Sequence, residues 1–284
     1  MGASADLRLL AGASRALKSE LRRAWAAGLA ETAKVLLVSA GRPSRLPVDS
    51  LRRAAFLAVL RGSLAELAAG LVLPTVRAAR ALQAASLDGF DVNVGAARRA
   101  SLLSEGARNV RTLATTSLAR FSGRVVPDLA ARAASALWRE LSASVLAAET
   151  VRAGESEAWQ LDRIAVSVLA FAFNRIRTEL AAGQDVLLRW TERVDDATGR
   201  PRDDRVGADS LALHGQIAPV GGTFVMPSDP SVWRGWWGRR WSHPPNRPNC
   251  RAVLVVWRPS LGLPAWRWSG GQRVHLTVRP DASA

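Results

Sequence analysis

Leu180-Ala181-Ala182-Gly183-Gln184-Asp185-Val186-Leu187-Leu188-Arg189-Trp190-Thr191 marks a change of period in a chain of 284 residues. Before it, apolar residues recur every three or four positions among Ala, Leu, Arg and Glu, the spacing that lays one stripe along a helix. Gly183 is a natural helix stop. From Asp185 on the helical period fails. Val186-Leu187-Leu188 and residues 252–257 read as short buried strands, and residues 273–278 alternate like an edge strand. The expected fold class is therefore α+β. A mainly α-helical N-terminal body is expected over residues 1–155, and a small mixed α/β C-terminal domain over 156–284.

Six helices are expected upstream. Leu10, Leu17, Leu21, Trp25 and Leu29 line one face of the first, which Pro43 and Pro47 close. Asp49 and Ser50 stand at the N-cap of a second over 51–69. A third covers 76–85 and ends at Asp88-Gly89. A fourth runs over 96–119 to a break at Ser122-Gly123, and Pro127-Asp128 opens a fifth that passes Trp138 to 148. The sixth, 155–182, carries Trp159, Ile164, Val168, Phe171 and Ile176 as its stripe. No internal repeat and no low-complexity linker interrupts them.

Composition narrows the function classes. The chain is 48% hydrophobic and 22% charged, a folded protein's balance. Its 39 cations face 24 acids, for a formal net charge of +15, and only Lys18 and Lys34 among them are lysines. Such a body is drawn to polyanions. The charge is spread, with 26 cations and 16 acids in residues 1–189 and 13 and 8 in the rest. That suits a sequence-independent contact with duplex phosphates rather than a basic tail. The single cysteine, Cys250, excludes an internal disulfide framework. The start has no sustained apolar core of a secretory signal. Arg61 and Glu66 interrupt the apolar stretch 54–73, so no membrane partner is expected and the host cytoplasm is the expected site of synthesis.

Two stretches of the tail are too specific for generic loop. One holds Trp190-Thr191, then Asp203-Asp204-Arg205-Val206, then Leu213-His214-Gly215-Gln216-Ile217, with Pro219 and Phe224 beyond. The other is Pro244-Pro245-Asn246-Arg247-Pro248-Asn249-Cys250-Arg251. In order and spacing they resemble the Mu F-like head morphogenesis family, the minor capsid proteins of tailed bacteriophages. Arg163-Ile164-Ala165, Asn174 and Gly183 fit the helix that precedes the tryptophan in that family. The resemblance covers about residues 163–256.

Departures accompany it. The family's usual histidine falls on Ser210, its last cysteine on Ala252, and residues 197–202 stand as an insertion. Some relatives carry enough Cys and His for a zinc site. Here Cys250, His214 and His243 do not make a tetrahedral set, so no metal and no cofactor are expected. The resemblance implies a virion-interior protein at or near the portal, with portal protein, major capsid or scaffold protein and double-stranded DNA as partners. It would assist head assembly and genome packaging or delivery without covalent chemistry.

Trp190, Thr191, Asp203, Asp204, Arg205, Gly215, Gln216, Phe224, Pro244, Pro245, Cys250 and Arg251 read as a fold signature of turns, caps and one buried tryptophan. Asp203-Asp204 with Arg205 pins its loop through a local ion pair, and the prolines extend the backbone up to Cys250. The segment 233–241 is different. Trp233, Arg234, Trp236, Trp237, Arg239, Arg240 and Trp241, with Arg247 beyond, offer aromatic faces and guanidinium groups for DNA or a partner. Either they form a flexible anchoring arm, for which a protein is the favoured partner, or the tryptophans plug the domain with Arg stacked on them.

Enzyme readings find less support. Glu155-Ser156-Glu157 matches the E-x-E of ADP-ribosyltransferase-like toxins, but lies at an expected helix start and lacks the accompanying strand. An HNH nuclease around His243 and Asn246 conflicts with the prolines there. A serine hydrolase using His214, His243 or His275 lacks a nucleophile elbow. A packaged effector and a free sequence-independent DNA-binding protein remain the alternatives to a non-enzymatic head protein.

Overall fold

A computed structural model describes residues 3–39, 50–88, 95–138, 143–194, 206–246, 250–259, 265–269 and 272–276. Its helices are α1 (Ala3–Ser39), α2 (Ser50–Gly70), α3 (Val72–Asp88), α4 (Ala96–Trp138), α5 (Ala143–Ser156), α6 (Trp159–Ala181) and the short α7 (Ala208–Leu213). The strands are β1 (Leu187–Thr191), β2 (Ile217–Pro219), β3 (Phe224–Val225), β4 (Arg240–Trp241), β5 (Val253–Trp257), β6 (Ala265–Ser269) and β7 (Gln272–Leu276). The fold is α+β, with a helical N-terminal body and short antiparallel sheets confined to the C-terminal region. Pro43, Pro47 and Asp49 lie outside the described residues, as does the Ser50 side chain.

Two expectations about the fourth and fifth helices fail, for one reason. Ser122-Gly123 does not break the chain and Pro127 does not open a helix, because α4 runs unbroken through both. An internal proline costs about 3 kcal/mol, since it removes one amide donor and crowds the carbonyl four residues back. Here that residue is Gly123, and Phe121, Val125, Val126, Leu129, Ala130 and Ala133 are buried around it. Each of those side chains contributes on the order of 1–3 kcal/mol, so continuous burial outweighs the proline. The sixth helix likewise starts at Trp159, and Glu155-Ser156 finish α5. Its single stripe is also a misreading. Trp159 is 46% exposed, while Leu161, Ala165, Val166, Leu169, Ala172 and Phe173 are all buried. A helix apolar on most sides is a central helix, not a surface one.

Packing divides the chain into two compact units. One takes Arg15–Arg77 and Arg111–Ala165 and is wholly helical. Leu17, Leu21, Trp25 and Leu29 are buried in it, as their spacing predicts. The Trp25 indole N–H donates to Gly154 O at 2.8 Å, and its ring meets Phe121 edge-on at 5.1 Å. Arg22 grips Asp162 with two hydrogen bonds of 2.8 Å. The stretch Ala54–Asp88, which begins in this unit, is apolar enough by length and composition alone to cross a membrane, and 28% of its most apolar window is buried. Ala55, Ala58, Val59, Ala65 and Ala69 of α2 are exposed, with Arg61 and Glu66 the charges among them.

The other unit joins Met1–Ser14, Ala78–Val110 and Val166–Ala284. Its main sheet has the order β2-β1-β5, antiparallel throughout. Trp190 stands opposite Leu254, and the Trp190 N–H and C=O bond toward Gln216 and Gly215. The Leu254 amide and carbonyl therefore point away from β1, to an edge with no further strand among the described residues. Helix α6 covers that edge with two side chains. Leu254 N donates to Asn174 Oδ1 at 2.7 Å, and Asn174 Nδ2 donates to Ala252 O at 2.9 Å. Arg177 Nη1 donates to Leu254 O at 2.8 Å.

Arg177 is fully buried, and its guanidinium makes at least four hydrogen bonds. Its two Nη atoms reach the Asp6 carboxylate at 2.8 and 2.7 Å, its Nε donates to Ser86 Oγ at 2.9 Å, and its guanidinium lies 4.1 Å from the Phe173 ring centre. One side chain of α6 thus links α1, α3 and β5. Removing one member of a buried pair strands the other charge, at about 3–5 kcal/mol. Asp6→Ala and Arg177→Met should each lower stability by that amount in urea unfolding. The double variant Asp6→Leu/Arg177→Met should recover only part, because Leu254 O still lacks its donor.

Candidate functional site

The tail motifs meet on one side of the main sheet. Gly215 takes a left-handed conformation (φ +82°), which a β-carbon would strain, and its amide donates to Trp190 O at 2.9 Å. The turn delivers Gln216 into the interior. There its amide clamps β3, donating to Val225 O at 3.2 Å and accepting from Val225 N at 2.7 Å. Phe224, next along, meets the fully buried Trp190 edge-on at 5.3 Å. Thr191 is buried at the end of β1 and accepts from Arg189 Nη1 at 3.0 Å. Trp190 thus contacts both Gln216 and Phe224, though up to 34 positions separate them.

Cys250 closes the same core. Its sulfur lies 3.7 Å from Ser210 Oγ and 3.8 Å from Glu192 Oε1. Ser210 also donates to Asn246 Oδ1 at 3.1 Å, and Asn246 Nδ2 donates to Asp209 at 3.2 Å. Burial, and then the neighbouring Glu192 charge, push the Cys250 thiol up to about 12. A protonated, fully enclosed thiol is no nucleophile. Ser210, where the resemblance puts a histidine, and Cys250 are in contact. Among the described residues no group of three His, Cys, Asp or Glu is placed to share a metal ion.

Two of the three histidines are engaged by neighbours, and His275 of β7 is exposed. His214 Nδ1 accepts from the Glu192 amide at 3.0 Å. His243 packs on Phe171 at 5.3 Å, and desolvation lowers its affinity for a proton. Pro244 and Pro245 are joined by a cis peptide. Residues 197–202, Asp203, Asp204, Arg205, Arg247, Pro248 and Asn249 lie outside the described residues, so the expected Asp203–Asp204–Arg205 pin does too. Arg251 is partly exposed beside Cys250. Glu155 and Ser156 end a helix in the helical unit rather than beginning one, and the Ser156 hydroxyl donates to Ala153 O. A 420 Å³ cleft there, between α4 and α5, is lined by Leu129, Arg132, Ala133, Leu146, Glu149 and Ser156 and holds none of the tail-motif residues.

The segment 233–241 is a folded turn, with tryptophans facing two ways. Arg234–Trp236 form a 3-10 turn, and Arg240–Trp241 pair with β3. Trp236, Trp237 and Trp241 pack half-buried on the motif core, and the Trp237 indole donates to Asp229 O at 3.2 Å. Arg234 lies 5.7 Å over Trp237, and Arg239 5.7 Å over Trp236. Trp233 points outward, 71% exposed. Asp229 anchors the base of the turn. Ser231 donates to it from its hydroxyl and amide, holding its carboxyl below the usual range, and Arg273 reaches it at 3.2 Å.

Sequence reasoning missed Arg177 and Asp6, and it named Asn174 without a role. A polar pair three residues apart in a helix buried on most sides was the available signal. It also read charge only over residues 1–189 and the remainder. From Pro230 to Pro280 there are nine arginines and no Asp or Glu, a segregation visible only at that scale.

Comparison of the chain with family models, curated proteins and solved structures gives no match.

The raised Cys250 thiol has a consequence for stability. The native state keeps its proton above the ordinary thiol value of 9.0, where the unfolded chain loses it. Stabilisation from this group is complete below about pH 9 and falls as pH rises toward about 12. A Cys250→Ala variant should lack that component of the alkaline decline, and native Cys250 should resist alkylation near about pH 8 until the protein is unfolded.

Proposed function

We propose that this chain is a non-enzymatic minor head protein of a tailed bacteriophage or prophage, of the Mu F-like kind. It acts inside the head at or near the portal, where it assists assembly and genome packaging or delivery. One observation carries the reading: motif elements separated along the sequence are one another's structural partners. Trp190, Phe224 and Cys250 share one core, and the Gly215 turn and the Gln216 clamp on Val225 hold β3 to it. Chance matches scattered between Trp190 and Cys250 have no particular reason to close on each other, whereas residues that specify one fold do.

Two surfaces supply the contacts such a role needs. In the helical unit, the outward side of α2 presents alanines and Val59 with few charges, and Leu73 of α3 is 66% exposed. Apolar helix faces of this kind suit portal or capsid protein, because burying them releases water at about 25 cal/mol per Å². The net charge of +15 favours the genome's phosphates independently of sequence. Proton transfer and nucleophilic attack play no part in the mechanism. The chain docks by apolar contact and holds the polyanion by screened, reversible attraction.

The test separates these two forces. Tagged protein should retain the portal protein encoded alongside it at low salt and at about 0.5 M salt, where phosphate contacts are lost. Binding to DNA alone, abolished by the salt and with no portal retained, would overturn the head-protein reading.

A further inference from the structure

The outer side of the 233–241 turn combines a held aromatic plane with unpaired cations. A β-carbon placed on Gly235 would stand 2.5 Å from the Trp233 ring, with three ring atoms at 2.5 to 2.7 Å. The indole therefore lies over bare Gly235 backbone. One face is braced by the turn, while 71% exposure leaves the other open to solvent. This is a ring held in position before any partner arrives, which lowers the entropy lost on binding.

Around it, Arg234, Arg239 and Arg240 are exposed, and none of them is ion-paired among the described residues. Stacking on Trp237 and Trp236 positions Arg234 and Arg239. Arg239 Nε also donates to Gly235 O at 3.1 Å, which leaves its terminal nitrogens facing outward. Among the described residues Arg240 reaches the Thr223 hydroxyl alone, at 3.4 Å. The nearest acid in sequence is Asp229, and its carboxylate is occupied by Ser231 and Arg273.

We propose that this turn binds single-stranded nucleic acid, with one unpaired base stacked on the open face of Trp233 and the flanking phosphates held by Arg234, Arg239 and Arg240. A nucleotide is the repeating unit that brings a flat π-surface and an anion together. An intact duplex offers the phosphates but keeps its base faces closed, so Trp233 would gain nothing from it. The inference goes beyond the duplex contact proposed above and owes nothing to the portal part. It also assigns the segment a ligand other than the protein partner favoured for a flexible arm, because the turn is ordered and its outer side is a stacking plane.

Fluorescence polarisation with the full chain tests it. Two labelled probes are compared, an oligothymidylate and a closed dumbbell duplex of equal phosphate number without free ends. The oligothymidylate should bind at least several-fold more tightly. Trp233→Ala should remove that preference, weakening single-strand binding roughly tenfold while sparing duplex binding. Gly235→Ala, which displaces the indole without removing it, should act in the same direction. Arg239→Gln/Arg240→Gln should weaken both probes and flatten their salt dependence. Circular dichroism melts establish that the variants are folded, and substitutions at such exposed positions should leave them so.

Equal affinity of the native protein for the two probes would overturn the proposal. So would a single-strand preference that survives Trp233→Ala. Portal retention by the Trp233→Ala protein is a separate readout, so either result leaves the head-protein reading to its own test.

Discussion

The free edge of β5 is the constraint from which the arrangement of the C-terminal unit follows. Leu254 must turn its amide and carbonyl away from β1, and both would be buried without partners if no second strand or side chain met them. Asn174 and Arg177 of α6 take the strand's place. Placing a guanidinium there creates a second demand, since a buried cation needs a counter-charge. Asp6, near the start of the chain, supplies it, and Ser86 takes the remaining direction. A C-terminal sheet therefore depends on an N-terminal carboxylate. The compact unit is accordingly assembled from three separate stretches of the chain rather than from its last half.

With β5 fixed, β1 lies in the middle of the sheet, and Trp190 is committed to the core. The turn at Gly215 and the Gln216 clamp then bring β3 against Trp190, and β3 receives β4. This chain of dependencies ends at the surface, where the inward tryptophans of the 233–241 turn rest on the same core. Fold signature and candidate binding surface are thus two sides of one structure. Trp236, Trp237 and Trp241 hold the turn, and Trp233 and the arginines face outward.

What was legible in the sequence follows from what determines each feature. Periodicity identified the helices and the strands β1 and β5, because a burial pattern is written locally. It misplaced the boundary in α4, because Gly123 and Pro127 are local signals overruled by the burial of residues around them. Gly183 was readable as a helix stop, since the conformation there is a local need. The Asp6–Arg177 pair was not readable, because 171 positions separate its members and neither residue type announces a buried partner. Gln216 could be picked out by motif, but its clamp on Val225 required the turn geometry. The two-faced character of the tryptophan turn was likewise invisible, because composition gives the same letters to a plug and to a platform.

The central claim is that the chain is an internal component of a phage head. Its most direct test is localisation in assembled particles. Procapsids and mature heads carrying a small density tag on the chain would be imaged with the portal vertex resolved and without imposed symmetry. The account predicts tag density inside the shell, concentrated at or next to the portal and in far fewer copies than the shell protein. Particles that assemble without the chain, or a tag spread over the outer surface, would contradict it.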